Sequence, residues 1–323
     1  SRVDGLESRF NDFEAGSFSS TTSMKGKVEA LLAAQNTDAG ANDSVMLNYH
    51  YEVDLNTSFT GEDKLNVEIA AGNQTANSVA AFTDPLGETS DNLAIEDVNY
   101  TFPLGEWAIS VGESMDASKN WPNACAYGNV VDNLGDCGAA NSVDLGGDIS
   151  LSAGRSFGEW SVGVGVSADD GETNAGMFTD EGDDRYGAAL GYETDTFGMT
   201  LAFSSIEDGL ANNSYIGATA FYSPERFTLS GGYEFMDADL AGDENSTQWT
   251  LGISTEMGPG EISAGIGTNG PIDENAQELL AYEVKYSYPI NDSMTLDSFA
   301  FVADTVAGTE DTTGVGFLTT FKF

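Results

Sequence analysis

The chain has 323 residues, 53 acidic against 11 basic, for a formal net charge of −42. That balance disfavours nucleic acid as a partner, because phosphate backbones are held by Lys and Arg. A mean hydropathy of −0.22, with no run near the roughly 18 apolar residues that a membrane helix needs, excludes a helical membrane protein but not a barrel, whose strands show lipid only at alternate residues.

The first segment carries Val3, Leu6, Phe10 and Phe13 at intervals of three and four between charged residues. That spacing predicts a short amphipathic helix or the end of a coiled coil over residues 1–16, too short to be stable alone. Ser1 opens a charged stretch without an apolar signal core, so an export signal is expected upstream or already removed. Gly16 breaks the pattern, and from Phe18 the periodicity is two.

Sixteen strand-like segments follow, over 20–34, 44–55, 63–72, 93–102, 106–113, 147–156, 159–168, 184–194, 197–206, 212–223, 226–236, 246–257, 260–268, 277–288, 293–304 and 312–323. At ~10 residues per tilted strand, sixteen plus their connections fit this length. Several alternate cleanly: Trp160, Val162, Val164 and Val166 oppose Ser161, Gly163, Gly165 and Ser167, and Trp249, Leu251 and Ile253 oppose Gln248, Thr250, Gly252 and Ser254. A soluble sandwich alternates too, so the connections decide.

Tight turns such as Pro103-Leu104-Gly105 and Phe157-Gly158 alternate with long polar stretches at 73–92, 114–146, 169–183 and 237–245. A bacterial outer-membrane barrel has that arrangement, with short periplasmic turns and long outer loops. An even strand count then puts both termini in the periplasm. Phe102, Trp107, Phe157, Trp160, Phe197, Phe221, Phe227, Tyr288 and Phe323 gather near the tight turns, as an interfacial girdle would. The chain ends on Phe321-Lys322-Phe323, and that last strand is expected to close the barrel against the first. The fold class is therefore all-β, a transmembrane antiparallel β-barrel of about 16 strands over 17–323, preceded by a short N-terminal helical or coiled-coil tail.

Three stretches carry a family resemblance. They are Val3 to Lys27, with Phe18-Ser19-Ser20-Thr21-Thr22; Leu55 to Leu65, followed by Ala71-Gly72-Asn73; and Val98-Asn99-Tyr100-Thr101-Phe102-Pro103-Leu104-Gly105, leading to Val111-Gly112. Across the first third of the chain these resemble the outer-membrane porins of cyanobacteria, which join a surface-layer-homology domain, a coiled coil and an OprB-like barrel. The resemblance implies a homotrimeric diffusion channel, set among outer-membrane lipid and lipopolysaccharide. It also implies a grip on a peptidoglycan-linked wall polymer through an upstream domain that these residues do not include.

A diffusion pore needs a constriction, not a reacting group. The longest loop, about 114–146, is the third by count when the connection 35–43 between the first two segments is included, the loop that general porins fold into the lumen, and it holds both cysteines, Cys125 and Cys137. Their closeness in one polar segment predicts a disulfide made outside the cytoplasm. Glu113, Asp116, Asp132 and Asp136 would form the acidic side of the constriction. By parity Lys25, Lys27, Glu29, His50, Glu52, Asp54, Glu68, Asp97, Arg185, Glu193, Glu234, Glu283 and Lys285 point to the lumen. Lys25, Lys27, Arg185 and Lys285 supply the opposing charge. Acid outnumbers base, which predicts a weak cation preference.

Other chemistries fit poorly. His50 is the only histidine, which disfavours zinc and most general-base triads. No enzymatic activity and no bound cofactor are expected. Carboxylates at Asp169-Asp170-Gly171-Glu172 and Asp180 to Asp184 leave loop-bound calcium open, without EF-hand spacing. Two rivals to an open channel remain: a plugged barrel that mainly anchors the outer membrane to the wall, and a soluble acidic β-sandwich adhesin.

Overall fold

A computed structural model describes residues 21–37, 44–75, 89–169, 171–174, 176–179, 182–208, 211–240, 243–306 and 310–323. The expected helical tail at 1–16 lies outside the described residues.

Sixteen long strands form one antiparallel ring: β1 (Thr22–Thr37), β2 (Ser44–Thr57), β3 (Lys64–Gly72), β4 (Ala94–Leu104), β5 (Trp107–Glu113), β6 (Ile149–Phe157), β7 (Trp160–Asp169) and β8 (Asp183–Glu193), then β9 (Phe197–Asp208), β10 (Ala211–Tyr222), β11 (Thr228–Asp237), β12 (Ser246–Met257), β13 (Gly260–Thr268), β15 (Leu280–Asn291), β16 (Met294–Val306) and β17 (Glu310–Lys322). A two-residue strand, β14 (Ile272–Asp273), only borders β12. Each long strand pairs with its sequence neighbours, and β17 closes on β1 from Lys27↔Lys322 to Thr37↔Thr312. No edge is left, which satisfies every backbone ladder in a medium without water.

The sorting of side chains is the reverse of a soluble protein. On β9, Leu201 is 50 % exposed while its neighbour Thr200 is 1 % exposed; on β12, Leu251 is 58 % exposed and Thr250 is fully buried. An apolar exterior around a polar interior has hydrocarbon as its natural outer solvent.

Turn chemistry sets the registers at one end of the barrel. Gly105, Gly158 and Gly258 open three two-residue hairpins with φ of 64°, 65° and 65°. The left-handed first position of a II′ turn favours glycine there. The β2–β3 turn is tied by Asp63, whose carboxylate accepts from the amides of Phe59 and Thr60 at 2.9 and 2.8 Å and from the Tyr100 hydroxyl at 2.6 Å. These donors hold its carboxyl well below the usual range, the Tyr100 hydroxyl contributing most. At the closing seam, the Phe323 amide donates to the Gly26 carbonyl at 3.0 Å and the Gly26 amide to the Phe323 carbonyl at 2.9 Å. The Phe323 ring fills the space a side chain at position 26 would need.

The predicted girdle is retained at this end, with Trp160 edge-on to Tyr192 at 5.0 Å and Tyr100 stacked on Phe102 at 5.6 Å. Phe221 departs from it. That residue shares the inward parity of buried Thr219, and its ring lies over Gly198.

Candidate functional site

The segment between β5 and β6 folds into the lumen. Its outgoing limb follows the inner wall: Asn120 donates to Ser110 Oγ of β5 at 2.9 Å, the Ala124 amide to Thr219 Oγ1 of β10 at 3.1 Å, and the Ala126 amide to Ser230 Oγ of β11 at 2.9 Å. The tip then reaches β15 and β16, and the chain returns through a 3-10 segment (Asp132–Gly138) and a short helix (Ala140–Val143). The Cys125–Cys137 disulfide is formed, with Cα atoms 5.6 Å apart, and ties the two limbs together.

Small inward residues permit this close approach. A Cβ at Gly165 would stand 1.9 Å from the Ala117 carbonyl oxygen, and one at Gly252 would stand 2.1 Å from the Tyr127 ring. The Gly, Ser and Thr faces within β6 to β13 cradle the loop.

The tip is held by an apolar seat and a charged clamp. Val130, Val131 and Leu134 pack on Leu31, Ala33, Phe299 and Phe301, all buried on the inner wall. Sequence reasoning missed this seat. Its signal was β16, where Phe299, Phe301 and Ala303 share one parity while Ser298 and Ala300 take the other. Glu283, 6 % exposed, accepts from the Tyr127 hydroxyl at 2.6 Å and from the amides of Val130 and Val131 at 2.9 and 2.6 Å. Burial and the facing Glu283 carboxylate keep the Tyr127 hydroxyl protonated far above its ordinary pKa. Glu234 accepts from Asn141 at 2.9 Å and from the Ser142 amide at 2.7 Å. Both glutamates point inward as parity predicts, but they meet the loop backbone rather than the open channel.

The opposing cations are similarly occupied. Lys285 donates to the Gly128 carbonyl at 2.8 Å. Lys27 sits between Glu29 at 3.3 Å and Glu52 at 3.0 Å, and Glu29 also meets His50 Nδ1 at 3.3 Å. Arg185 pairs with Asp169, and Lys25 is exposed on β1. Asp136 accepts from Asn123 at 2.8 Å, and Asp132 is exposed at the start of the 3-10 segment. Glu113 alternates onto the face of Val111, which is 40 % exposed on the lipid side, so it lies at the rim and not among the inward carboxylates.

Asp116 has the most distinctive setting of the predicted loop acids. Its side chain meets lumen water but is ringed by protein, and that desolvation, with Asp144 and Asp97 nearby, pushes its carboxyl up to about 6 against the pull of Lys119. A Cβ at Gly146 would lie 3.6 Å from Asp116 Oδ1 and 3.8 Å from Arg185 Nη1, so Asp116 shares this corner with Arg185. Lys119, which parity arguments on strands do not reach, crosses to Asp97 of β4 at 3.5 Å. Among the described residues it is the one ion pair between the loop and β2 to β4. Their inward Glu52, Asp54, Glu68 and Asp97 are left facing the loop across the lumen, none of them fully buried.

No group of three His, Cys, Asp or Glu converges at metal-binding distance among the described residues. Asp170 and Asp180 of the calcium expectation lie outside them.

A family model for Gram-negative porins matches residues 15–305. Among solved structures, the anion-selective porin from Comamonas acidovorans is 14% identical, with 94% of this chain and 99% of that one covered at a TM-score of 0.70. A loop-deletion variant of OmpT from Vibrio cholerae is 10% identical over 94% and 99% at a TM-score of 0.64, and a Rhodopseudomonas blastica porin variant is 14% identical over 94% and 100% at 0.58. A Nostoc sp. protein described as uncharacterized is 36% identical over 133 residues, which are 35% of this chain but only 22% of that protein. With the family model matched over most of the barrel, the chain belongs to the Gram-negative porins, diffusion channels of the outer membrane.

Proposed function

We propose that this porin passes inorganic ions and small hydrophilic solutes with a weak preference for cations. The observation that carries the reading is the inner wall of β2 to β4, where four carboxylates, Glu52, Asp54, Glu68 and Asp97, face the lumen against two cations, Lys27 paired with Glu52 and Lys119 paired with Asp97, so that acid remains in excess. Low-dielectric walls focus such a negative potential on the solution between them. Asp116 and Asp132 extend it from the loop side, with Arg185 as local counter-charge. A barrel of this shape does not dictate the sign, since a structural relative is described as anion-selective.

The trimeric state, the periplasmic placement of both termini, contact with lipopolysaccharide, and an upstream wall-binding module belong to the same proposal. They are supported by the resemblance of the first third of the chain to cyanobacterial porins and by the partial Nostoc match. Planar-bilayer recording in a KCl gradient tests the core of it. The expected result is stable conductance steps with a reversal potential on the cation side, growing as salt is diluted. Zero or anion-side reversal potentials refute the charge argument, and the absence of steady steps refutes an open pore.

A further inference from the structure

Between the loop tip and the wall lies a cavity of about 250 Å3, bounded by β1, β15, β16 and β17 and by Gly128, Asn129 and Val130 of the loop. Its walls differ in chemistry. One side is apolar, made by Leu31, Phe299 and Leu318; the other presents Lys285 and Asp297. These two are diagonal neighbours on one face, because Lys285 pairs with Phe299 and Asp297 with Ser287. They form no ion pair with each other, and no ammonium or guanidinium pairs with Asp297 among the described residues. Asp297 receives one hydrogen bond, from Ser287 Oγ at 2.5 Å. Lys285 gives one donor to the Gly128 carbonyl at 2.8 Å and a second, weakly, to the Asn129 carbonyl at 3.5 Å, which leaves the third N–H of the ammonium unspent. The third carboxylate of the cavity, Glu29, is already engaged by Lys27 and His50.

An anion and a cation side by side, each with capacity to spare, above an apolar wall, match a solute with the same three features. We infer that this cavity is a binding site for small zwitterions, specifically α-amino acids with an apolar side chain. The ammonium meets Asp297, the carboxylate meets Lys285, and the side chain lies on Leu31, Phe299 and Leu318. A few placed polar groups on an apolar lining are the usual composition of a small-molecule site. Neither half-ligand satisfies both charges: a simple amine leaves Lys285 unmatched and a simple carboxylate leaves Asp297 unmatched. The inference rests on the channel reading only in placing the cavity beside the permeation path.

Isothermal titration calorimetry on the detergent-solubilised protein tests it without requiring conduction. The probes are L-leucine, glycine, isoamylamine and 4-methylpentanoate, on wild type and on Asp297→Asn. Leucine is expected to bind at least tenfold more tightly than the other three, and to lose at least tenfold in Asp297→Asn. Binding of isoamylamine equal to or tighter than leucine would overturn the site, reducing the cavity to a generic cation sink, and so would no leucine binding at its solubility limit. If the variant fails to fold, the ordering of the four probes on wild type still decides. A leucine signal with no bilayer conductance sinks the channel reading and leaves the site standing; steady conductance with no leucine signal does the reverse.

Discussion

Replacing Glu283 by Gln should release the loop tip without unfolding the barrel. The carboxylate receives the Tyr127 hydroxyl and the Val130 amide on one oxygen, at 2.6 and 2.9 Å, and the amides of Val130 and Val131 on the other, at 3.0 and 2.6 Å. Glutamine keeps one acceptor and turns an NH2 group toward the donors of the second. One bond is lost and the others drop from charged to neutral. Taking the low end of ~1.5–3 kcal/mol for a hydrogen bond to a charged group, and ~1 for a neutral one, the docked tip weakens by about 3 kcal/mol. That corresponds to roughly a hundredfold rise in the undocked population, at ~1.4 kcal/mol per decade. Hydrogen exchange read at the Val130 and Val131 amides should accelerate by a similar factor, while amides of β12 remain protected, and open-channel current noise should rise. Unchanged exchange at Val130 and Val131 in a folded variant would show that the apolar seat alone holds the tip, and would refute the clamp.

Two further outcomes follow from the same geometry. Asp116, with its carboxyl near 6, is charged at pH 7.5 and neutral at pH 5, because a raised carboxyl loses its charge as pH falls through the folded value. The cation-to-anion permeability ratio should therefore fall over that window, and Asp116→Asn should flatten the change; a variant with the wild-type pH profile would remove Asp116 from the selectivity argument. Paired substitution of Cys125 and Cys137 by Ser opens a ring whose ends are 12 residues apart, a constraint worth ~3 kcal/mol of chain entropy in loops of this size. Channel noise should increase while the barrel's unfolding temperature in detergent stays put, since the strand ladders are untouched; a matching fall in that temperature would mean the loop is part of the barrel's stability.

The sixteen strands were legible because each carries its own alternation and its own turn signal. The segments 246–257 and 260–268 have the observed bounds of β12 and β13, and the closing pair was readable from Phe321 and Phe323. β14 was missed, since two residues hold no period. The position of the 277–288 strand was affected in the same stretch: β15 begins at Leu280, after the segment that carries β14. The site was harder to read, for a reason that lies in the pattern itself. Parity says that Glu234, Glu283 and Lys285 point inward, and they do. It cannot say whether a folded segment or water meets them there, because that depends on a contact more than 90 positions away in sequence, such as Asn141 to Glu234.

The composition around the ring does carry that missing information. Inward positions on β2 are Asn48, His50, Glu52 and Asp54, all larger polar groups. Inward positions on β7 and β12 include Gly163, Gly165 and Gly252, where any side chain would collide with Trp121, Ala117 or Tyr127. Glycine in a strand weakens it and leaves nothing to pack, so a run of inward glycines is unfavourable unless something else needs the room. On β7 and β12 the inward glycines lie under the docked loop, whereas the charged face of β2 carries none. The same asymmetry that admits the loop on one side therefore fixes where the channel runs on the other, and it was present in the alternating faces before any contact was known.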